Sequence, residues 1–241
     1  MEESATLRIG SENYNFPLIK GTEDETAVDL RTLRGGSGCI TFDDGYGNTG
    51  SCESKVTFID GEKGILRYRG YPIEQLAEKC RFTEICYLLL YGEMPNIEQQ
   101  EDFSLKIKKE QNIHEDMKRF FDGFPITAHP MAILSSMVTA LSAFYPNGGN
   151  NDEEVMDINI ARLIAKVKTI AAYSFRKSHG MPFIYPDSSM NYVDNFLHMM
   201  FSDSQEEYHK NPVMYDALNL LLILHADHEQ NCSTSTVRMA G

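Results

Sequence analysis

Two histidines and two carboxylates fall within five residues near the end of the chain, directly after an apolar run at 222–224. They are His225, Asp227, His228 and Glu229, and four hydroxyl residues follow at 233–236. If a helix continues through this stretch, the i, i+3 and i+4 spacing places His225, His228 and Glu229 on one face. A buried cluster of this kind needs a hydrogen-bond partner for every polar group.

Three kinds of site fit this cluster. The first is a structural network in which the polar groups satisfy one another. The second is a zinc site, because His225, His228 and Cys232 follow one another at i, i+3 and i+7. The third is a carboxylate-binding site, because histidine nitrogens and the Ser and Thr hydroxyls donate hydrogen bonds to anions.

The simplest nucleotide and hydrolase motifs are not supported. Gly45-x-Gly47-x-x-Gly50 matches the dinucleotide fingerprint by letters, but residues 51–59 after it read as extended chain, whereas the fingerprint must open a helix. The stretch therefore predicts a loop. The sequence contains no HExxH, GxxxxGK[ST] or GxSxG, which removes the plainest zincin, P-loop and α/β-hydrolase interpretations.

Composition narrows the class of protein further. The 241 residues predict one or two domains, and 35 acidic against 22 basic residues give a net charge of -13. This charge argues against a nucleic-acid partner, but a few local bases can still hold an anionic substrate. The longest apolar run, at 218–226, is about half the length that a membrane-spanning helix needs. Five cysteines without a CxxC pair and a polar N-terminus lead us to expect a cytoplasmic protein.

The predicted elements fall into two parts. Short alternating strands around Gly10 predict a small β-rich part over 1–60, whose hairpin continues to about residue 70. From 71 to 241 the apolar period is helical, so the fold class is mainly α. The predicted helices begin at Pro72 and include 83–91, 97–109, a deeply buried one at 131–145, a long one from Glu153 to Gly180, 191–201 and 212–230.

The run HADHEQNCSTSTVRMAG at 225–241 resembles the signature region of citrate synthase. Four other segments are similar to the same family in the same order: SCESKVTFIDG at 51–61, GILRYRGYPI at 64–73, HPM at 129–131 and GMPFIYP at 180–186. The resemblance covers essentially the whole chain. The resemblance is strongest to the bacterial hexameric type, which carries an additional N-terminal β part. It implies a citrate-synthase-like large helical domain.

The resemblance implies a specific reaction. Citrate synthases condense acetyl-CoA with oxaloacetate and hydrolyse the product to citrate and CoA, with no metal or redox cofactor. An Asp removes a proton from the acetyl group, one His stabilises the enol and another polarises the oxaloacetate carbonyl. This is general acid–base catalysis with donors aimed at developing charge. A methylcitrate synthase, which uses propionyl-CoA in place of acetyl-CoA, shares the motif and is the alternative enzyme. The alternative outside enzymes is a structural or zinc-binding helical module.

The resemblance places only part of the site within this chain. The catalytic His, in a Gly-Pro-x-His-Gly-Gly run, the catalytic Asp and the oxaloacetate-binding arginines are all expected after Gly241. We therefore expect an N-terminal portion without turnover of its own. His228 matches the position that contacts oxaloacetate, and Ser233 matches one that orients the missing catalytic His.

The hexameric type is often inhibited by NADH at a remote site. Tyr145, Arg162 and Lys166 match aromatic and cationic positions of that nucleotide site, and Arg162 and Lys166 are spaced i, i+4. Residues 110–112 depart from the family pattern there, and Gln205 stands where some members have a reactive Cys. The alternative is a solvated basic stripe on an amphipathic helix. The family also implies a homo-oligomer, a dimer or a hexamer built as a trimer of dimers, and we expect exposed apolar faces to drive self-association.

Overall fold

The computed structural model describes residues 3–146, 152–203 and 208–240. The chain divides after Lys55 into two compact units. This division places the hairpin at 57–68 with the helical unit, whereas the sequence analysis grouped it with the N-terminal part. We describe each unit by itself.

The first unit is a small antiparallel sheet with one short helix. Its strands pair in the order β1–β2–β3, and the left-handed φ of 64° at Gly10 closes the turn between the first two. Phe16 and Leu33 are its buried residues. The elements are β1 Ser4–Ile9, β2 Glu12–Lys20, β3 Thr26–Val28 and α1 Leu33–Ser37. The predicted strands are confirmed. The glycines at 45–50 lie in irregular chain that no helix follows, so the loop interpretation is confirmed.

The second unit opens with a three-stranded antiparallel sheet, ordered β4–β5–β6. The first two strands form the predicted hairpin, in which Ile59 lies opposite Leu66. Asp60 caps the turn, because its Oδ1 accepts a hydrogen bond from the backbone N–H of Lys63 at 3.0 Å. The strands are β4 Thr57–Asp60, β5 Ile65–Tyr68 and β6 Tyr71–Pro72.

Helices make up the rest of the second unit, so the mainly α fold class is confirmed. Several begin where a side chain accepts a backbone N–H, as at Asn96, Asp152, Asn191 and Asn211. A 3₁₀ helix covers Arg119–Gly123. The helices are α2 Ile73–Lys79, α3 Phe82–Tyr91, α4 Ile97–Glu110, α5 Glu115–Lys118, α6 Pro130–Phe144, α7 Glu153–Ser178, α8 Tyr192–Phe201, α9 Pro212–Leu224 and α10 Cys232–Ala240.

The long helix α7 is the centre of this unit and contacts α4, α6 and α8. Its small residues Ala161 and Ala165 are fully buried and pack against Phe103 and Ile107 of α4. Further along, Ile170 and Tyr173 join a second cluster with α6. The regularly spaced apolar residues of α7 therefore pack against two different helices, α4 and α6. No helix in the described part of the chain is long and apolar enough to cross a membrane.

The deep burial expected for the helix at 131–145 is wrong. Only Ile133, Met137 and Leu141, spaced four residues apart, are buried, while Met131 is 61% exposed. The outward hydroxyls do not need a buried partner, because residues such as Ser136 and Thr139 donate to carbonyls of their own helix. One face of α6 therefore packs on α7, and the residues of the opposite face are exposed in the described chain. The expected self-association stays a prediction.

Candidate functional site

The polar cluster at the end of α9 is a loop and not a helix, so the predicted extension of this helix to about residue 230 is wrong. The helix ends at Leu224, and His225 is its C-cap. The imidazole Nδ1 of His225 donates to the carbonyl of Leu221 at 2.7 Å. Glu229 has a left-handed φ of 51°, which interrupts any helical path. His225, His228 and Glu229 therefore do not share a helix face.

A buried tyrosine from the hairpin holds this loop. Tyr68 is 0% exposed. Its hydroxyl lies 3.1 Å from the carbonyl oxygen of Ile223, 3.4 Å from that of Leu224 and 3.3 Å from that of Asp227. A phenol has only one proton to donate, and the carbonyl oxygen of Ile223 is the nearest of the three acceptors. Burial raises the pKa of Tyr68, which keeps the phenol protonated and able to donate.

The two carboxylates of the cluster have structural partners. Asp227 Oδ2 accepts the backbone N–H of Glu229 at 2.9 Å. Glu229 Oε1 in turn accepts the backbone N–H of Ile59 in β4 at 3.2 Å, which ties the loop to the hairpin. The structural-network interpretation therefore holds for the acidic residues. Sequence reasoning missed Tyr68 and Ile59, since both are more than 150 positions away from their partners.

The last described helix starts directly after this loop. Asn231 caps α10, because its Oδ1 accepts the backbone N–H of Thr234 at 2.9 Å. Of the hydroxyls, Ser235 and Thr236 donate to backbone carbonyls of their own segment. His228, in the loop, and Ser233, in the first turn of α10, are both exposed. Neither makes a side-chain hydrogen bond to any described residue, so both can donate to a ligand.

The zinc interpretation finds no support. Within residues 3–146, 152–203 and 208–240, no group of three or more His, Cys, Asp or Glu side chains is placed to hold a metal ion. His225 is turned back to the Leu221 carbonyl, and Cys232 is an exposed free thiol.

Removing the Tyr68 hydroxyl should loosen the loop. We expect Tyr68→Phe to lower the free energy of unfolding by about 1–2 kcal/mol, because buried carbonyls lose their donor while the ring still packs. Amide hydrogen exchange at 225–231 should become faster, which mass spectrometry of peptides would measure. Tyr71→Phe, in the exposed neighbouring strand, is the control and should change neither quantity. Equal exchange in both variants would show that Tyr68 does not hold the loop.

The structure brings the three residues of the predicted nucleotide site together. The Arg162 guanidinium carbon lies 4.1 Å from the ring centre of Tyr145, and the Lys166 Nζ lies 5.1 Å from it. Such cation–π contacts are favourable, more so when the cation is desolvated. Lys166 is only 2% exposed, so the alternative of a solvated basic stripe is wrong.

Both cations of this cluster are already occupied. Arg162 donates to the Glu110 carboxylate, with distances of 2.9 and 3.4 Å, and to Asn159 Oδ1 at 2.6 Å. Lys166 donates to the carbonyls of Glu110 and Asn112 at 2.8 and 2.5 Å. Glu110 is one of the residues that depart from the family pattern. Its carboxylate therefore neutralises the Arg162 guanidinium that a phosphate would need. Nucleotide binding here stays a prediction, and Gln205 lies outside the described residues.

Comparison with known proteins agrees with the mainly helical fold. A solved citrate synthase from Pyrobaculum aerophilum superposes with a TM-score of 0.69 at 28% identity, covering 96% of this chain and 53% of that one. A ternary complex of carboxymethyl coenzyme A and oxaloacetate with citrate synthase from Thermoplasma acidophilum gives 0.70 at 28% identity, covering 78% and 48%. The fold is thus that of the helical part of a citrate synthase.

Sequence comparison identifies the family. The family described as citrate synthase, C-terminal domain, matches residues 45–241. Citrate synthase 1 of Mycobacterium tuberculosis is 49% identical over all 241 residues, which cover 56% of that protein. The chain belongs to the citrate synthase family. It spans little more than half the length of the curated relatives that it matches.

Proposed function

We propose that the protein containing this chain condenses acetyl-CoA with oxaloacetate and water to give citrate and CoA. The observation that carries this proposal is the family match over 45–241, which includes the loop that presents His228. The 49% identity to a citrate synthase over the whole chain supports it. The related archaeal structure with oxaloacetate and a coenzyme A derivative supports the two substrate classes.

In this proposal His228 donates a hydrogen bond to oxaloacetate. It stands on a loop fixed by Tyr68 and Glu229, so its backbone position is set before substrate arrives. A donor held in place costs less ordering on binding than a mobile one. Ser233, five residues further on, orients the catalytic His that the resemblance places after Gly241. On this basis the 241 residues alone have no turnover.

The test is thiol release in the whole protein, followed with oxaloacetate and either acetyl-CoA or propionyl-CoA. We expect acetyl-CoA to give the higher kcat/KM. A clear preference for propionyl-CoA would instead identify a methylcitrate synthase. The 241-residue chain, assayed alongside, should release no thiol, and robust release from it would contradict the assignment of the catalytic residues to the missing part.

The remaining expectations belong to the same proposal. The family resemblance and the uncovered face of α6 support a homo-oligomer, a dimer or a trimer of dimers, which sedimentation of the whole protein would measure. We propose cytoplasmic localisation, with no membrane or nucleic-acid partner. We also propose that the reaction needs no metal or redox cofactor and acetyl-CoA serves as co-substrate, so chelation should leave the rate unchanged.

We propose that the cluster of Tyr145, Arg162 and Lys166 does not give strong control by NADH in this protein. A phosphate would have to displace or approach the Glu110 carboxylate, at a cost in electrostatic free energy. We expect Glu110→Gln to increase sensitivity to NADH by about tenfold, equivalent to roughly 1.4 kcal/mol. Initial rates against NADH concentration would measure this. Glu98→Gln, on the same helix, is the control, and strong inhibition of the unmodified protein would overturn the proposal.

A further inference from the structure

A cavity of about 460 Å³ lies between the start of α3, α4, α7 and α8. Its volume is within the range of small-molecule sites in proteins. The wall combines apolar side chains such as Leu105 and Met190 with cations, amides and hydroxyls. None of its lining residues belongs to the loop that presents His228, and only Gln111 comes from the segment 110–112 beside the Tyr145 cluster.

Lys168 of α7 is the unusual member of this wall. It is 4% exposed, and its Nζ makes one long hydrogen bond, 3.4 Å to Gln111 Oε1. That acceptor is shared, because Asn195 Nδ2 also donates to it at 2.9 Å. The Nζ lies 4.9 Å from the ring centre of Tyr192, and within the described residues no carboxylate lies within 4 Å.

Lys166 lies two residues earlier on the same helix, and comparison with it shows which hydrogen-bond partners Lys168 lacks. Lys166 is as buried but donates to two backbone carbonyls at 2.8 and 2.5 Å. A buried ammonium without such partners is costly. Burial, followed by repulsion from Lys108, accordingly lowers the pKa of Lys168 to about 7.

Other charged groups around the cavity favour an anion. Arg81 from the start of α3 and Lys108 from α4 are cationic, and Glu101 of α4 is the carboxylate among the lining residues. Tyr192 of α8 is held neutral, because burial raises its pKa. With Lys168 protonated, the lining therefore has more positive than negative charge.

We propose that this cavity binds a small anion, a carboxylate or a tetrahedral oxyanion, whose charge is met by the Lys168 ammonium with Lys108 and Arg81 at the rim. The anion supplies the counter-charge that the folded chain does not, and the apolar wall accommodates a short carbon skeleton. Because binding favours the protonated amine, the complex takes up a proton wherever free Lys168 is neutral.

Calorimetric titration of the whole protein tests this with two probes, sodium sulfate and sodium succinate, at constant ionic strength. Sulfate keeps its charge between pH 6 and 9, so any pH dependence comes from the protein. We expect affinity to fall by about tenfold from pH 6 to pH 9, since Lys168 loses its proton through about 7. Tighter sulfate binding identifies a site for tetrahedral oxyanions, and tighter succinate binding identifies a carboxylate site.

Variants decide whether Lys168 is responsible. Lys168→Met, which keeps the length and apolar stem, should weaken binding by about tenfold or more at pH 6. Lys108→Met at the rim should weaken it by about threefold at the same pH, and this variant tests the cavity even if the buried change alters folding. Lys109→Met, exposed on the same helix, is the control. Binding that is equal in all three variants, or independent of pH, would overturn the proposal.

Discussion

Replacing His228 by glutamine in the whole protein is expected to lower kcat/KM for oxaloacetate by about 100-fold or more. A histidine that donates to a substrate carboxylate makes a charge-assisted hydrogen bond, which is roughly twice as strong as a neutral one. Losing about 2.7 kcal/mol of such stabilisation corresponds to two factors of ten. Glutamine retains an N–H donor but cannot place it where the imidazole nitrogen lies, so the variant isolates the position of the imidazole donor.

Steady-state kinetics with varied oxaloacetate measure this effect. If His228 contacts the bound substrate, KM for oxaloacetate should rise, whereas KM for acetyl-CoA should change little. His225→Gln is the matched control. Its Nδ1 is committed to the Leu221 carbonyl, so we expect a change in kcat/KM of less than about threefold. Similar small losses in both variants would show that His228 does not bind substrate.

The difference between these two histidines illustrates what sequence could and could not predict. Their spacing suggested one helical face, but local spacing carries no information about where the helix ends. The end is set by Tyr68 and Ile59, whose contacts with the loop join positions 155 and 170 residues apart. Such contacts have no signature in a window of a few residues. The resemblance to a known family, and not the spacing, singled out His228.

Elements with local causes were predicted well. The long helix α7 begins after Asp152, whose side chain caps it, and ends before Gly180, whose φ is 65°. Burial was harder to predict. The apolar and small residues of α6 suggested an enclosed helix, yet only the face with Ile133, Met137 and Leu141 has neighbours. An apolar composition allows a helix to be buried, but which of its faces is buried depends on the elements that pack against it.

Buried cations were the least predictable feature. Lys166, Lys168 and Arg176 of α7 are all at most 4% exposed, although their residue types are usually solvated. Arg176 lies in the last turn of α7, where a cation interacts favourably with the helix dipole. Its partners, however, are carbonyls of α8 and of the segment after α7, which the periodicity of α7 alone could not identify.

Arg176→Met is expected to be the most destabilising substitution among those considered, lowering the free energy of unfolding by about 3–5 kcal/mol. One guanidinium nitrogen, Nη1, donates to the carbonyls of Met200 and Ser202 at 3.0 Å each, and Nε donates to the carbonyl of Pro182. The Met200 carbonyl is among the last four of α8, which have no partner within their own helix. Methionine fills the space but leaves these buried acceptors without donors.

Urea denaturation measures the loss, and amide exchange of the peptide around 199–202 locates it. Lys177→Met is the control, because Lys177 is the next residue in the same helix and its ion pair with the exposed Asp122 is 3.5 Å long. Exposed pairs of this kind contribute little, so we expect a change of less than about 0.5 kcal/mol. Arg176→Lys should recover only part of the stability, because one ammonium cannot reach the carbonyls of Pro182 and Ser202 as a planar guanidinium does. If Arg176→Met unfolds at the same urea concentration as Lys177→Met, the buried guanidinium does not hold the end of α8 to α7.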